Sequence, residues 1–186
     1  IDSTTLTSLT VTITNLQDGV LESLDADVSG TSIVKNYNSG TGVLTLTGAD
    51  SVANYQQVLR TVTYNNTDQD PGTTARSITF VANDGTDDSN IGTTTVTVLG
   101  VNDAPVLDLD ADDSTSAGAN FAATFTEDAG SVGIADSDAT ITDIDSTTLT
   151  SLTVTITNLQ DGVLESLDAN VLGTSIAKNY NSATGV

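Results

Sequence analysis

The sequence predicts an all-β protein, an antiparallel β-sandwich arranged in tandem repeats. Three observations carry that expectation. Apolar residues alternate with threonine over short runs, glycine and aspartate mark the turns between the runs, and the chain repeats itself. Thr makes up about a fifth of the 186 residues, and β-branched side chains suit a pleated strand. Hydrophobic residues are 37% of the chain with only 4% aromatics. That is apolar enough to escape disorder, and it suits a thin core better than a deep pocket.

Along the chain, Leu9, Val11 and Ile13 alternate with Thr10, Thr12 and Thr14, the two-residue period of a half-buried strand. Leu44 and Leu46 alternate with Thr45 and Thr47, and Val62 and Tyr64 with Thr61 and Thr63. Ile78 and Phe80 flank Thr79, while Val96 and Val98 alternate with Thr95 and Thr97. Turn signals separate these runs at Asp18-Gly19, Asn38-Ser39-Gly40, Asp70-Pro71-Gly72 and Asn83-Asp84-Gly85. One segment reads as a helix, Ser51 to Leu59, with Val52, Tyr55, Val58 and Leu59 at helical spacing. The longest apolar runs are a few residues, so no membrane insertion is expected.

The repeat is the strongest signal. Residues 1–43 return as residues 144–186 at an offset of 143. Only four paired positions differ: Asp27/Asn170, Ser29/Leu172, Val34/Ala177 and Gly40/Ala183. Self-similarity of this kind marks an array, so the chain is expected to be a window on a longer protein. Gly100-Val101-Asn102-Asp103-Ala104-Pro105 punctuates it, because proline cannot continue a strand ladder. Phased from Pro105, residues 1–104 are a repeat lacking its first strands, and residues 105–186 are the N-terminal part of the next. Such a repeat has an open edge and an open apolar face, so self-association is expected.

Composition narrows the function. Twenty-five acids face four basic residues, Lys35, Arg60, Arg76 and Lys178, for a net charge of -21. Nucleic acid and anionic membranes need a cationic face, so neither is an expected partner. The chain has no His, Cys, Met or Trp. Their absence removes the usual ligands of zinc, copper, iron–sulfur and haem sites and the usual nucleophile–base pairs. An enzyme is not expected.

Asp supplies 22 of the acids and Glu only Glu22, Glu127 and Glu165. Asp is a short, stiff oxygen ligand that suits Ca2+ held between loops. Asp108, Asp110 and Asp112 have the spacing of the first EF-hand ligands, but Asp113 replaces the required Gly and Ala119 the required Glu. In an extended strand their carboxylates lie on one face about 6.6 Å apart; they could bind an ion at low affinity or face water, and water is the expectation.

Motif order brings a resemblance. Phe80-Val81-Ala82-Asn83-Asp84-Gly85, Ser89, Thr95-Val96-Thr97-Val98 and Val101-Asn102-Asp103-Ala104-Pro105-Val106 together resemble the end of a cadherin repeat. Phe125-Thr126-Glu127-Asp128 looks like that family's first-strand glutamate, and Thr142-Asp143-Ile144-Asp145-Ser146 like its Asp-x-Asp motif. The run from Asn54 to Asn66 is similar to a signature of bacterial cadherin-like repeats in giant, type I-secreted adhesins. The resemblance implies a Greek-key sandwich with Ca2+ at the junction between repeats. The ligands it implies are Asp84, Asn102, Asp103, Glu127, Asp143 and Asp145. Two departures imply fewer ligands per junction: Gly100 stands where an Asp opens the animal linker, and the Asp-Arg-Glu motif is missing, with only Asp50 nearby.

The function this implies is a calcium-stiffened spacer for adhesion in an extracellular or cell-surface bacterial protein, its partners being neighbouring repeats. A second reading is a subunit of an extracellular filament or surface layer, a homo-polymer joined by strand exchange. A third is a carbohydrate-binding module.

Overall fold

The computed structural model describes residues 4–186. The chain forms two compact units, Ile1–Asp145 and Ser146–Val186. Among the described residues of the first, nine strands and one α-helix follow in order. They are β1 (Thr5–Ile13), β2 (Glu22–Asp25), β3 (Val34–Asn38), β4 (Val43–Ser51), α1 (Val52–Leu59), β5 (Thr63–Asn66), β6 (Arg76–Asn83), β7 (Gly92–Val96), β8 (Val106–Asp108) and β9 (Thr140–Thr142). They build a five-stranded sheet in the order β3-β4-β1-β6-β7, a ribbon β2-β5 and a hairpin-like pair β8-β9. Every strand pair among the described residues is antiparallel. The architecture is all-β, as expected.

The alternating residues decide which face is buried. Leu9, Val11 and Ile13 all point into the core, and β1 sits at the centre of its sheet. Val11 lies opposite Leu44 on one side and Phe80 on the other, so one apolar row crosses three strands. Leu24 of β2, Tyr55 and Val58 of α1, and the half-buried Tyr64 of β5 close over that row. α1 starts where Ser51 accepts a hydrogen bond from Asn54 N at 3.2 Å, an N-cap that satisfies one orphan amide. Tyr55 donates from its hydroxyl to Gly48 O at 2.8 Å. Gly48 has φ +133° and an added Cβ would lie 2.6 Å from Ser32 O, so only glycine fits there.

Asp50 anchors the same corner. Its carboxylate accepts from Ser32 N, Ser51 N, Ser32 Oγ and Asn54 Nδ2 at 2.7–2.9 Å. The amides of Ser32 and Ser51 hold its pKa at about 2.

A buried ion network ties the ribbon to the large sheet. Arg76, at the start of β6, and Glu22, at the start of β2, are both fully buried, and Arg76 Nε donates to Glu22 Oε1. Arg76 Nη2 donates to Asp18 Oδ2 at 2.5 Å, and its Nη1 to the carbonyls of Gly72 and Thr74. Tyr64 OH donates to Glu22 Oε1 at 2.8 Å, and Gln17 N to Oε2 at 2.9 Å. Burial alone would raise the Glu22 carboxyl, but the bonds from Arg76, Tyr64, Gln17 and Asp18 outweigh it and hold it low. Burial, followed by the bond to Glu22, pushes the Tyr64 hydroxyl up to about 12.

The second unit carries almost the same residues as 3–43 in a different state. It keeps the local turns: a 3-10 turn at Gly162–Leu164 matches the one at Gly19–Leu21. Ile156 N donates to Gly185 O at 2.9 Å, as Ile13 N does to Gly42 O. It has no strands among the described residues. Leu152 and Ile176 are 64% and 65% exposed where Leu9 and Ile33 are buried. Turns form from local sequence, whereas a strand needs partners to take its backbone bonds.

Removing one partner of the buried network leaves the other charge uncompensated. Arg76→Met is expected to lower unfolding stability by about 3–5 kcal/mol, with Arg76→Met/Glu22→Gln costing less than the sum of the two single changes. Urea melts of the four proteins check this.

Acid should act on the same groups. The folded-state pKa values of Glu22 and Asp50 lie below the ordinary 4.5 and 3.8, so their stabilisation is full above those values and lost as pH falls through the folded ones. The stability difference between wild type and Glu22→Gln is therefore expected to be constant from pH 4.5 up to the ordinary tyrosine pKa of 10 and to shrink below pH 4.5. Tyr64 acts in the opposite sense, its contribution fading from pH 10 to about 12.

Candidate functional site

The β8-β9 pair places acids at both of its ends. Val106 lies opposite Thr142 and Asp108 opposite Thr140. One end therefore brings Asp103 to Asp143 and Asp145, and the other brings Asp110 to Asp136 and Asp138.

At the first end, Asp103 N donates to Asp145 Oδ2 at 2.9 Å, and Asp145 N to Asp143 Oδ1 at 3.2 Å. The second oxygen, Asp145 Oδ1, is buried and accepts no hydrogen bond. A buried carboxylate oxygen without a donor is costly. A cation is one group that would satisfy it. The Asp145 carboxyl is held below its ordinary pKa by the Asp103 amide first and by the Asp143 side chain next. A cleft of about 480 Å3 opens here, lined by Gln69, Asp103, Ala104, Val106, Thr142, Asp143 and Ile144.

Of the six residues expected to bind the ion, three are joined at this end, Asp103 through its backbone amide and Asp143 and Asp145 through their carboxylates. Among the described residues, however, only Asp110, Asp112 and Asp138 bring three carboxylate oxygens within 4.8 Å of one another. Asn102 is next to them and exposed, its Nδ2 donating to Asp103 O at 2.5 Å. Asp84 lies in the β6–β7 turn, where Oδ1 accepts from Thr86 N at 2.9 Å and Asp87 N at 3.0 Å. Those amides hold its pKa down. Glu127 is exposed in an irregular stretch.

The second end corrects one expectation. Asp110 does not face water: it is 0% exposed. Nor do Asp108 to Asp112 run as one strand, since β8 ends at Asp108 and Asp113 takes a left-handed φ of 56°. The cause is the Asp110 carboxylate, which gathers the chain ahead of it. Oδ1 accepts from Ser114 N and Oγ at 3.0 and 3.1 Å. Oδ2 accepts from Thr115 N, Thr115 Oγ1 and Ser116 N at 2.7, 2.6 and 3.1 Å. These bonds, led by the Thr115 hydroxyl, hold its pKa well below the carboxylate range.

Asp110, Asp112 and Asp138 each bring a carboxylate oxygen within 4.8 Å of the others. Oxygens bound to one Ca2+ at 2.3–2.6 Å fall within about that distance of each other, so this cluster could hold a metal ion. Aspartate spacing along a strand could not reveal it, because Asp138 comes from 28 residues further along the sequence. The buried network around Arg76 was also not apparent from the sequence. Its one signal was an arginine placed at a strand start in a chain with four basic residues.

No family model, characterised protein or solved structure matches the chain. Among the described residues, no helix is long and apolar enough to cross a membrane.

Asp110→Asn weakens a charge-assisted acceptor of three backbone amides. The amides of Ser114, Thr115 and Ser116 are expected to lose hydrogen-exchange protection while those of β1 keep theirs. Unchanged exchange at 114–116 would mean that the turn is held by something else.

Proposed function

We propose that the chain is a segment of a tandem array of cadherin-like sandwich repeats, serving as a calcium-stiffened spacer in an extracellular bacterial surface protein. The observation that carries this reading is the buried, donorless Oδ1 of Asp145, set against Asp103 and Asp143 beside the Asn102–Pro105 linker. The 143-residue repeat and the all-antiparallel strands support it.

In this reading Asp103, Asp143 and Asp145 hold one Ca2+, with Asn102 beside them. Asp84 and Glu127 complete junctions through neighbouring copies. The ion does two things. It neutralises carboxylates that repel one another in a chain of charge -21, and it fixes the linker so that one repeat cannot swing freely on the next. The family resemblance, the Greek-key connectivity and the repeat boundary at Pro105 belong to the same proposal. The chain has no chemistry-bearing role in it.

Binding to the folded form alone raises stability by mass action. Thermal melting at matched ionic strength is expected to move up on replacing chelator with Ca2+, by several degrees for a stabilisation of about 1–2 kcal/mol. Asp145→Asn is expected to abolish most of that shift without lowering the midpoint in chelator. Equal midpoints for wild type with and without Ca2+ would remove the basis of the proposal.

A further inference from the structure

The large sheet and the small ribbon do not close on one side. Between β5 and β7 lies a groove of about 500 Å3 whose walls include Leu24, Val62, Tyr64, Ile78, Phe80 and Val96. Both bordering strands are terminal in their sheets, so each presents one side without a strand partner among the described residues. An apolar groove flanked by open strand edges is the geometry of strand addition.

The chain itself contains a segment with a matching pattern. Phe121, Ala123 and Phe125 alternate with Ala122 and Thr124, so one face of an extended segment would carry two aromatic rings. Phe125 is 66% exposed, and the segment belongs to no strand. Charge also matches. No groove-lining residue is charged, and residues 114–126 form a 13-residue run without an acid or base in a chain of charge -21.

Sequence order points the same way. A stretch containing this segment stands directly before the repeated β1 sequence at Ile144. In its own chain the segment is held elsewhere. The Asp110 turn bonds residues 114–116, Leu109 N donates to Ala119 O at 3.4 Å, and Ala122 N donates to Thr115 Oγ1 at 3.1 Å. A second copy can present the segment with the Asp110 turn intact.

We propose that the β5–β7 groove receives residues 121–125 of a second copy of this chain, adding a strand to the β2-β5 ribbon. Phe121 and Phe125 enter the groove against Tyr64, Ile78 and Val96, and the donor backbone pairs with the free edge of β5. Each copy has one groove and one donor strand, so the contact is head-to-tail and extends beyond a dimer unless the ends close.

Light scattering in chelator tests this independently of the calcium site. The wild-type mass is expected to rise with concentration, and Phe125→Asp is expected to stay monomeric with an unchanged melting midpoint. A fluorescent peptide of residues 117–127 is expected to bind wild type and Phe125→Asp, and to bind Thr94→Asp, which charges the groove wall at an exposed position, at least about tenfold more weakly. A wild-type chain that remains monomeric at every concentration would overturn the proposal, whether its groove stays open or takes its own strand. So would Phe125→Asp assembling like wild type, or a peptide that does not bind.

Discussion

A single buried arginine decides where the small ribbon lies. β2 and β5 form only a two-stranded ribbon, and such a ribbon is marginal on its own in water. Arg76 leaves the start of β6 and reaches Glu22 in β2, Asp18 in the turn before it, and the carbonyls of Gly72 and Thr74. Tyr64 and Asn66 of β5 close the network from the far side. The ribbon is thereby tied to the start of β6, over the apolar row of β1, β4 and β6. The second unit shows the same glutamate in other surroundings. Glu165 keeps the amide bonds from Gln160 and Asp161 but is not fully buried.

Much of the large sheet was legible because the alternation is strict and the buried side is apolar. Leu9, Val11, Ile13, Leu44, Leu46 and Ile78 face inward as their period implies, and Ser51 caps the one helix where the helical spacing begins. The network was not legible, since Glu22 and Arg76 are 54 residues apart and neither period nor turn chemistry links them. Asp110 was misread for a related reason. Two-residue aspartate spacing reads as strand geometry, while the Asp110 carboxylate instead collects the amides of three following residues and ends the strand. Of the candidate site, the Asp-x-Asp pair and the linker aspartate could be named from motif order. The hydrogen bond that joins them, and the orphaned oxygen, depend on the β8-β9 register and are visible only in three dimensions.

The two ends of the β8-β9 pair are alike in composition and unlike in state. At one end Asp110 has spent its acceptor capacity on five donors, so its charge is already compensated by the chain. At the other, Asp145 retains a buried oxygen with no donor, beside the Asp143 carboxyl. A cation gains more where the acceptor is unsatisfied. That contrast separates an aspartate already compensated by the chain from one that is not, which counting acidic residues cannot do. The unsatisfied end lies beside the Asn102–Pro105 segment, through the bond from Asp103 N.

The most direct measurement is a Ca2+ titration followed by amide resonances of the chain. The account predicts saturable shifts centred on Asp103, Asp143 and Asp145, with Ser114, Thr115 and Ser116 moving little. Shifts confined to residues 110–116 and 138, or no saturable shifts at all, would contradict it.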